Sequence, residues 1–366
     1  MKILNKKSLI RAVYQMIAAF MIVMIFACAG SEQMKKKPEI KVDYIEDSFS
    51  CETKAPDKFS AISELKEPMD SVAVSKEKKQ TDEVSTVPEL KEPLDSVVLE
   101  KTMELKRRLV MNGVPGEWFD QQLQHETFQT HPAIGRYFQK SVEKEVDYDN
   151  KRDASWYFAR LGVQAKIENG KRFVEMHSGI LSQAEAKHGI HRELIAAIIG
   201  IETNFASLYQ RGKFYAFNSL VSQYIFAKRM NFAVREITAL YKFSEKTGQP
   251  PHYFTSSYAG AIGWGQFIPS SLLAFFIDAN GVHDDTDPFS LDDTIFSIEN
   301  YLYKHNLSGK NITDYAARYK AVFAYNHSDV YVKAVLFIYE GLRNYFCKEE
   351  LKRSVRSFED SKSIHP

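Results

Sequence analysis

An apolar run from Leu194 to Ile201 ends directly at an acidic residue, Glu202. The pattern from His191 to Asn204 predicts a helix, and in a helix Glu202 lies on the same face as Ile198, four residues earlier. The apolar residues form the predicted core stripe of this helix. The carboxyl group therefore lies at the edge of the buried face or within it, near the helix C-terminus.

The position of Glu202 leaves two interpretations open. Apolar surroundings raise the pKa of a carboxylic acid, and the negative end of the helix dipole acts in the same direction. An acid that keeps its proton near neutral pH is suited to general acid catalysis. Alternatively, the side chain turns towards water and pairs with a lysine or arginine, which is the commoner situation for a single glutamate.

The N-terminus has the pattern of an export signal. A basic segment from Lys2 to Arg11 precedes an apolar segment from Val13 to Ala27, which is short for a membrane span. Small residues around Cys28 resemble the lipobox of bacterial lipoproteins. We predict a lipoprotein signal peptide in residues 1–27 and a lipid on Cys28; the alternative is an uncleaved N-terminal anchor. Both export the remaining chain.

Charge and cysteine content restrict the compartment and the partners. The formal charge of +1 becomes −3 without the four cations of the first 27 residues, so no nucleic acid partner is predicted. The expected location is periplasmic, with a lipid anchor at Cys28 in the outer membrane. Cys51 and Cys347 are far apart, and their spacing leaves open whether they form a disulfide.

Composition divides the chain into a tether and a globular part. Residues 28–100 are rich in charged residues, serine and proline and poor in aromatic residues, which is typical of a disordered segment. A repeat, ELKEPxDSV, occurs there at Glu64–Val72 and again at Glu89–Val97. Aromatic residues become frequent in the predicted catalytic domain, 101–350, and a polar tail, 351–366, follows.

Helical periodicity dominates the globular part, and clear alternating strands are scarce. The predicted fold is mainly α, with a Gly-rich loop at Ser257–Gln266 and at most a small sheet. Asp287 and Pro288 have the residue types of an N-cap and a first turn. Besides His191–Asn204, helices are predicted at Ser178–His188 (ended by Gly189), Tyr224–Lys246, Phe289–His305, Thr313–Tyr325 and Asp329–Phe346, with another that begins at Pro269.

Three motifs together resemble those of the lytic transglycosylases. They are GIHRELIAAIIGIETNFAS at Gly189–Ser207, SYAGAIGWGQFIPSS at Ser257–Ser271 and AYNHSDVYVKAV at Ala324–Val335. Within that group the sequence looks like the membrane-bound lytic transglycosylase B family, over about residues 103–345. The resemblance implies a lysozyme-like α+β fold and an enzyme that acts on peptidoglycan glycan strands.

The resemblance also implies a mechanism with one carboxylate. Glycosidases generally use two acidic residues, and the three motifs offer no partner for Glu202. By resemblance, Glu202 protonates the oxygen of the β-1,4 bond between N-acetylmuramic acid and N-acetylglucosamine. It then acts as a base towards the 6-hydroxyl of the muramic sugar, which closes a 1,6-anhydro ring. Two alternatives are a hydrolytic muramidase like goose-type lysozyme and a non-catalytic peptidoglycan-binding module.

The same resemblance implies the substrate contacts and the partners. Proteins of cell-wall synthesis or division are candidate partners besides the glycan strands. Arg229 resembles one member of an arginine pair, although the first position of the pair is Lys228 here. The implied substrate-binding residues are Ser257, Tyr258, Gln266, Tyr325, Asn326, Tyr331 and Arg229.

No cofactor and no metal site are predicted. Relatives often have a calcium loop after the second motif, and Asp278 and Asn280 match its first and third ligand positions. Val282 occupies the fifth position, where an oxygen ligand is needed, and Asp287 comes two positions early. The weaker alternative is a calcium site at Asp278, Asn280 and Asp287.

Overall fold

Helices form nearly all of the regular structure in the computed structural model, which describes residues 96–147, 154–205, 212–281 and 286–363. The predicted signal peptide, the lipid site Cys28, the tether with its repeat and Cys51 lie outside these residues. In chain order the helices are α1 Ser96–Met111, α2 Gly116–Gln124, α3 Pro132–Asp147, α4 Ala154–Leu161, α5 Val163–Met176, α6 Ser178–His188, α7 Arg192–Thr203, α8 Ala216–Phe226, α9 Met230–Thr247, α10 Pro269–Phe275, α11 Leu291–Lys304, α12 Tyr315–Tyr325 and α13 Asp329–Ser363.

The strands of the described residues are very short. β1, Phe214–Tyr215, pairs antiparallel with β2, Thr255–Ser256, and Phe214 lies opposite Ser256. This pair brings the chain before α8 next to the start of the Gly-rich loop. The prediction of a mainly helical fold with at most a small sheet is therefore confirmed.

Helix α7 lies at the centre of the fold. It packs against α5, α6, α11 and α13, and every residue from Glu193 to Ile201 is buried. Burial of a leucine or isoleucine side chain contributes about 1.5–3 kcal/mol, so this helix carries much of the core energy. The run of apolar residues is continuous because neighbouring helices cover α7 on several sides.

Glycine ends the helix that precedes α7. Gly189 has a φ of 74° after α6, and its N–H donates to the carbonyl oxygen of Glu185 at 2.8 Å. A Cβ atom at Gly189 would lie 2.7 Å from Cα of Gly309. The predicted helix Ser178–His188 is confirmed at both ends. Position 189 requires glycine because its φ is positive and because a Cβ atom there would clash with Gly309.

The prediction of one helix over Tyr224–Lys246 is wrong. α8 ends at Phe226 and α9 begins at Met230, with Lys228 between them at a φ of 54°. The Arg229 guanidinium turns inward and donates to Oε1 of Gln223 at 2.8 Å. Its guanidinium carbon also lies 4.7 Å from the ring centroid of Phe138 on α3, so a tertiary contact accompanies the break, although the apolar periodicity continues through it.

The predicted N-cap of α11 is also wrong. Ser290 is the N-cap, and its Oγ accepts a hydrogen bond from the N–H of Asp293 at 3.2 Å. The Asp287 carboxylate instead accepts from the N–H of Phe289 and from the hydroxyl of Tyr253, both at 2.9 Å. Asp287 and Ser290 are both suitable N-cap residues, but the carboxylate of Asp287 is already bonded to Tyr253.

The last helix is longer than predicted. α13 begins at Asp329, as expected, but continues beyond Phe346 to Ser363. The predicted boundary at residue 350 between domain and tail thus falls within a helix. None of the described helices combines the length and the hydropathy that a membrane span requires.

Candidate active site

Glu202 occupies the last turn of α7, where its half-buried side chain meets α13. The hydroxyl of Tyr331 donates a hydrogen bond to Oε1 of Glu202 at 2.7 Å. Because this donor occupies Oε1, a proton on the carboxyl group belongs on Oε2. The structure therefore brings together two of the predicted site residues, which are 129 positions apart in the sequence.

Burial controls the protonation of Glu202. It raises the pKa of this carboxyl group from 4.5 to about 8, against the opposing effects of the Tyr331 hydrogen bond and the charge of Lys166. The group thus keeps its proton at neutral pH, as the apolar run predicts. Among the described residues, no second carboxylate contributes to this shift.

The Gly-rich loop is fastened beside Glu202 by two hydrogen bonds. The buried hydroxyl of Tyr325 donates to the carbonyl oxygen of Gly265 at 2.6 Å. Oγ1 of Thr203 shares its proton between the carbonyl oxygens of Ile199 and Trp264, at 3.2 and 3.3 Å. A Cβ atom at Gly265 would lie 2.9 Å from the Tyr325 hydroxyl, so glycine permits this close approach.

Two other predicted residues hold the shape of the loop. Ser257 is buried, and its Oγ accepts from the N–H groups of Ala259 and Ala261 at 3.3 and 3.2 Å. The amide of Gln266 donates to the carbonyl oxygen of Gly263 at 2.9 Å. These bonds give both side chains a structural task, and their contact with substrate stays a prediction.

Asn326 is the C-cap of α12 and directly follows Tyr325. Its side chain is only 2% exposed, and neither its Oδ1 nor its Nδ2 has a hydrogen-bond partner among the described residues. A buried polar group without a partner costs about 1–3 kcal/mol, so it needs an explanation. A polar ligand that pairs with this amide would supply one.

Arg229 and Tyr258 form a separate group with contacts on α3, α8 and α9. The guanidinium carbon of Arg229 lies 3.8 Å from the ring centroid of Phe232 and 4.7 Å from that of Phe138. Burial lowers the pKa of Arg229 to about 9 and raises that of Tyr258. Tyr258 also packs against Ile134. The structure joins these two predicted residues to each other, at the other end of the loop from Gln266.

Lys166 is a residue that the sequence did not reveal. It is buried on α5, and its ammonium group donates to the carbonyl oxygen of Gly200 at 2.7 Å and to Oδ1 of Asn204 at 3.0 Å. Burial lowers the pKa of Lys166 to about 8, against the opposing effect of Glu202. The sequence contains no local signal that places this lysine beneath α7.

The weaker alternative of a calcium site concerns Asp278, Asn280 and Asp287, which the structure describes in part of the candidate loop. Asp287 uses both carboxylate oxygens on protein donors, and Oδ1 of Asp278 accepts from the N–H of Asn280 at 2.9 Å. In the described residues, which leave out 282–285, no group of three or more His, Cys, Asp or Glu side chains is arranged to hold a metal ion. Oδ2 of Asp278 is buried without a hydrogen-bond partner among the described residues, so the calcium alternative stays a prediction.

Comparison with known proteins identifies a family for most of the described part of the chain. The model of the Transglycosylase SLT domain family matches residues 99–314. Membrane-bound lytic murein transglycosylase B of Escherichia coli (strain K12) is 29% identical over 142 residues. That alignment covers 38% of this chain and 38% of the relative's own length.

Solved structures share the fold. The crystal structure of SltB3 from Pseudomonas aeruginosa in complex with NAG-NAM-pentapeptide has a TM-score of 0.56 and 17% identity, and the match covers 68% of this chain and 80% of that chain. The Escherichia coli lytic transglycosylase Slt35 in complex with calcium has a TM-score of 0.56 and 17% identity, with 66% and 92% covered. These likenesses confirm the predicted lysozyme-like fold. Tyr325, Asn326 and Tyr331 lie beyond the family match, yet the fold brings Tyr331 to Glu202.

Proposed function

Because the chain belongs to the Transglycosylase SLT domain family, we propose that it is a lytic transglycosylase of peptidoglycan with Glu202 as its catalytic acid and base. One observation carries the proposal: Tyr331 holds the Glu202 carboxyl group, whose pKa is raised to about 8 with no second carboxylate among the described residues contributing to the shift. Such a group can first donate its proton to a leaving oxygen and then, as a carboxylate, accept a proton from an attacking hydroxyl.

In the first half of the reaction, Glu202 transfers its proton to the glycosidic oxygen between N-acetylmuramic acid and N-acetylglucosamine. The C1–O bond breaks, and positive charge develops at C1 of the muramic sugar. Tyr331 holds Oε1 throughout, so the carboxylate that forms stays at the cleaved bond. The leaving sugar departs with the proton as its new 4-hydroxyl.

In the second half, the Glu202 carboxylate accepts a proton from the 6-hydroxyl of the same muramic sugar. The oxygen of that hydroxyl attacks C1 and closes a 1,6-anhydro ring, which restores protonated Glu202 and consumes no water. The absence of a second carboxylate from the charged neighbours of Glu202 in the described residues favours an internal nucleophile over an activated water.

Asn326 supplies a binding group for the sugar. Its buried amide has an unpaired donor and an unpaired acceptor among the described residues, which together match the carbonyl and N–H of an acetamido group. The related SltB3 was also crystallised with NAG-anhNAM-pentapeptide, which supports the same substrate class for this chain. The proposed groove also includes Ser257, Gln266 and Tyr325, and it extends to the separate group of Tyr258 and Arg229 at the other end of the loop.

The location is a further part of the proposal. The basic and apolar segments before Cys28 and the membrane-bound character of the curated relative support an exported enzyme with a lipid anchor, on the periplasmic side of the outer membrane. Metabolic labelling with palmitate tests this. The wild type should incorporate label, Cys28→Ser should not, and equal labelling of both would contradict a lipid on Cys28.

The experiment that tests the activity is mass spectrometry of the muropeptides that the purified protein releases from peptidoglycan. We expect 1,6-anhydromuramic ends, which disappear with Glu202→Gln and remain with Glu245→Gln, a matched change at an exposed position of α9. Release of reducing muramic ends alone would indicate the hydrolytic alternative. Binding to peptidoglycan without release of any muropeptide would indicate the non-catalytic module.

A further inference from the structure

We propose that Lys166 is a positioning residue that holds the last turn of α7 and stabilises the negative charge that forms on Glu202 during the reaction. This inference rests on the proposed function, because it assigns a role to a residue of the same site. Lys166 belongs to none of the three motifs that carry the family resemblance.

The hydrogen bonds of Lys166 lie where α7 ends. Its ammonium group donates to the carbonyl oxygen of Gly200, in the last turn, and to the side chain of the C-cap, Asn204. These two acceptors stand on either side of Glu202 in the sequence. A cation at a helix C-terminus also complements the negative end of the dipole, which favours this arrangement.

The backbone after Glu202 needs such support. Asn204 and Phe205 have φ values of 52° and 56°, a left-handed conformation that costs roughly 1–2 kcal/mol for each residue other than glycine. The ring of Phe205 packs against Phe173, and a Cβ atom at Gly200 would lie 2.4 Å from its Cζ atom. Helix α5 therefore holds this turn through Lys166 and Phe173 together.

The charges around Glu202 give the ammonium group a second effect. Among the described residues, the titratable groups near Glu202 are Lys166 from α5, Tyr331 from α13 and Tyr325 from α12, while Tyr301 from α11 faces the two tyrosines. Of these only Lys166 carries a charge at neutral pH.

The ammonium group has little charge to stabilise while Glu202 keeps its proton. Loss of that proton creates a carboxylate in the field of the lysine, and Lys166 lowers the pKa of Glu202 for this reason. An interaction that becomes stronger as the reaction proceeds accelerates the chemical step rather than binding. Lys166 is already fixed by its two hydrogen bonds, so it needs no reorganisation.

Neutral and charged replacements of Lys166 separate these effects. Lys166→Gln keeps an N–H donor and Lys166→Met keeps the apolar length, but both remove the charge. We expect kcat to fall about tenfold with KM within about twofold, and the alkaline limb of the pH–rate profile to move up by about one unit. Lys166→Arg keeps the charge, so its limb should not move up. Lys171→Met, a change on the same helix at a lysine paired with Glu168, is the control.

The pKa of Glu202 itself is measured by NMR of ¹³C-labelled glutamate, with Glu202→Gln to assign the signal. The pKa should rise in Lys166→Gln and stay unchanged in Lys171→Met. An unchanged pKa in a folded neutral variant, or a limb that moves in Lys166→Arg as far as in Lys166→Gln, would overturn the inference. This titration requires no turnover. A raised pKa in a protein without lytic activity would therefore uphold the inference about Lys166 and refute the proposed function.

Discussion

The two ends of α7 each carry a glutamate in protein surroundings, but their partners differ. At the N-terminal end, the fully buried carboxylate of Glu193 lies 3.4 Å from Nε of Arg192 and 3.5 Å from Nη1 of Arg343. At the C-terminal end, Glu202 accepts a hydrogen bond from the neutral hydroxyl of Tyr331. The positive charge of Lys166 acts on it electrostatically, without a direct ion pair.

The difference shows how one helix supports a structural acid and a reactive acid. Two guanidinium groups offset the free-energy cost of desolvating a carboxylate. A single neutral hydrogen-bond donor offsets only a small part of that cost. The N-terminal glutamate therefore ties α7 to α13 as an ion pair. The C-terminal glutamate keeps its proton and is available for chemistry.

The largest expected effect is on activity and concerns only the C-terminal end. Glu202→Gln should lower kcat by about 10³-fold or more, because the amide cannot transfer a proton to the leaving oxygen. The amide still accepts the hydrogen bond from Tyr331, so the fold should persist. Rates of muropeptide release, with thermal unfolding as the control, measure this. A variant that retains wild-type rates would remove Glu202 from the catalytic role.

The corresponding change at the N-terminal end of α7 should lower stability and leave activity nearly unchanged. Glu193→Gln leaves two arginines without their carboxylate, and we expect the free energy of unfolding to fall by about 3 kcal/mol. The kcat of the folded fraction should stay within about threefold of wild type. Denaturant unfolding together with activity normalised to folded protein tests this. Unchanged stability would show that the ion pair is not what holds this end of α7.

The protonation of Glu202 should also affect the stability of the fold. Because folding raises the pKa of Glu202 from 4.5 to about 8, the unfolded state loses its proton first, and stability falls as the pH rises between these values. Glu202→Gln lacks this loss, so it should be more stable than wild type by about 4 kcal/mol near pH 8 and equal to it near pH 4.

Denaturant unfolding at several pH values measures that difference. Glu245→Gln, at an exposed position, is the matched control and should parallel the wild type throughout. If the curves of wild type and Glu202→Gln ran parallel from acid to alkaline pH, the raised pKa of Glu202 would be refuted.

Removal of the neutral donor should make the C-terminal acid still weaker. The Tyr331 hydrogen bond lowers the pKa of Glu202, so Tyr331→Phe should raise that pKa and move the alkaline limb of the pH–rate profile up by about one unit. We also expect kcat to fall about tenfold as the carboxyl group loses its fixed position. Tyr319→Phe removes a hydroxyl that donates to the exposed Asp329 and should change neither quantity.

The smallest effect concerns substrate binding beside Glu202. Asn326→Ala should raise KM about tenfold, while stability should stay equal or increase by about 1 kcal/mol, because a buried amide without partners is removed. Asn300→Ala is the contrasting control, since its amide donates to the carbonyl oxygen of Phe275 at 2.8 Å and its loss should lower stability by about 1 kcal/mol. Lower stability of Asn326→Ala with unchanged KM would indicate a structural asparagine.

Local signals in the sequence were sufficient to predict the helices whose ends are marked by glycine or proline. Gly189 requires a left-handed conformation, and Pro269 begins α10 as expected. The apolar run identified α7 and the environment of Glu202. These predictions succeeded because the deciding interactions lie within a few residues of each other.

Several of the failures involve contacts between distant parts of the chain. At the break after Phe226, Arg229 turns inward onto the ring of Phe138. Ser290 replaces Asp287 as N-cap where the Tyr253 hydroxyl donates to the aspartate. The contact of Lys166 with the last turn of α7 results from the packing of α5 on α7. A single sequence gives the periodicity of each helix, but not which buried position of one helix faces the end of another.

Digestion of peptidoglycan in H₂¹⁸O tests the central claim most directly, because ring closure and hydrolysis differ in the fate of water. Products of the wild-type protein should carry muramic ends without ¹⁸O, since the oxygen at C1 comes from the 6-hydroxyl of the same sugar. Peptidoglycan digested in parallel by a hydrolytic muramidase of the same fold provides the labelled standard. Incorporation of one ¹⁸O atom at each new muramic end would contradict ring closure by Glu202.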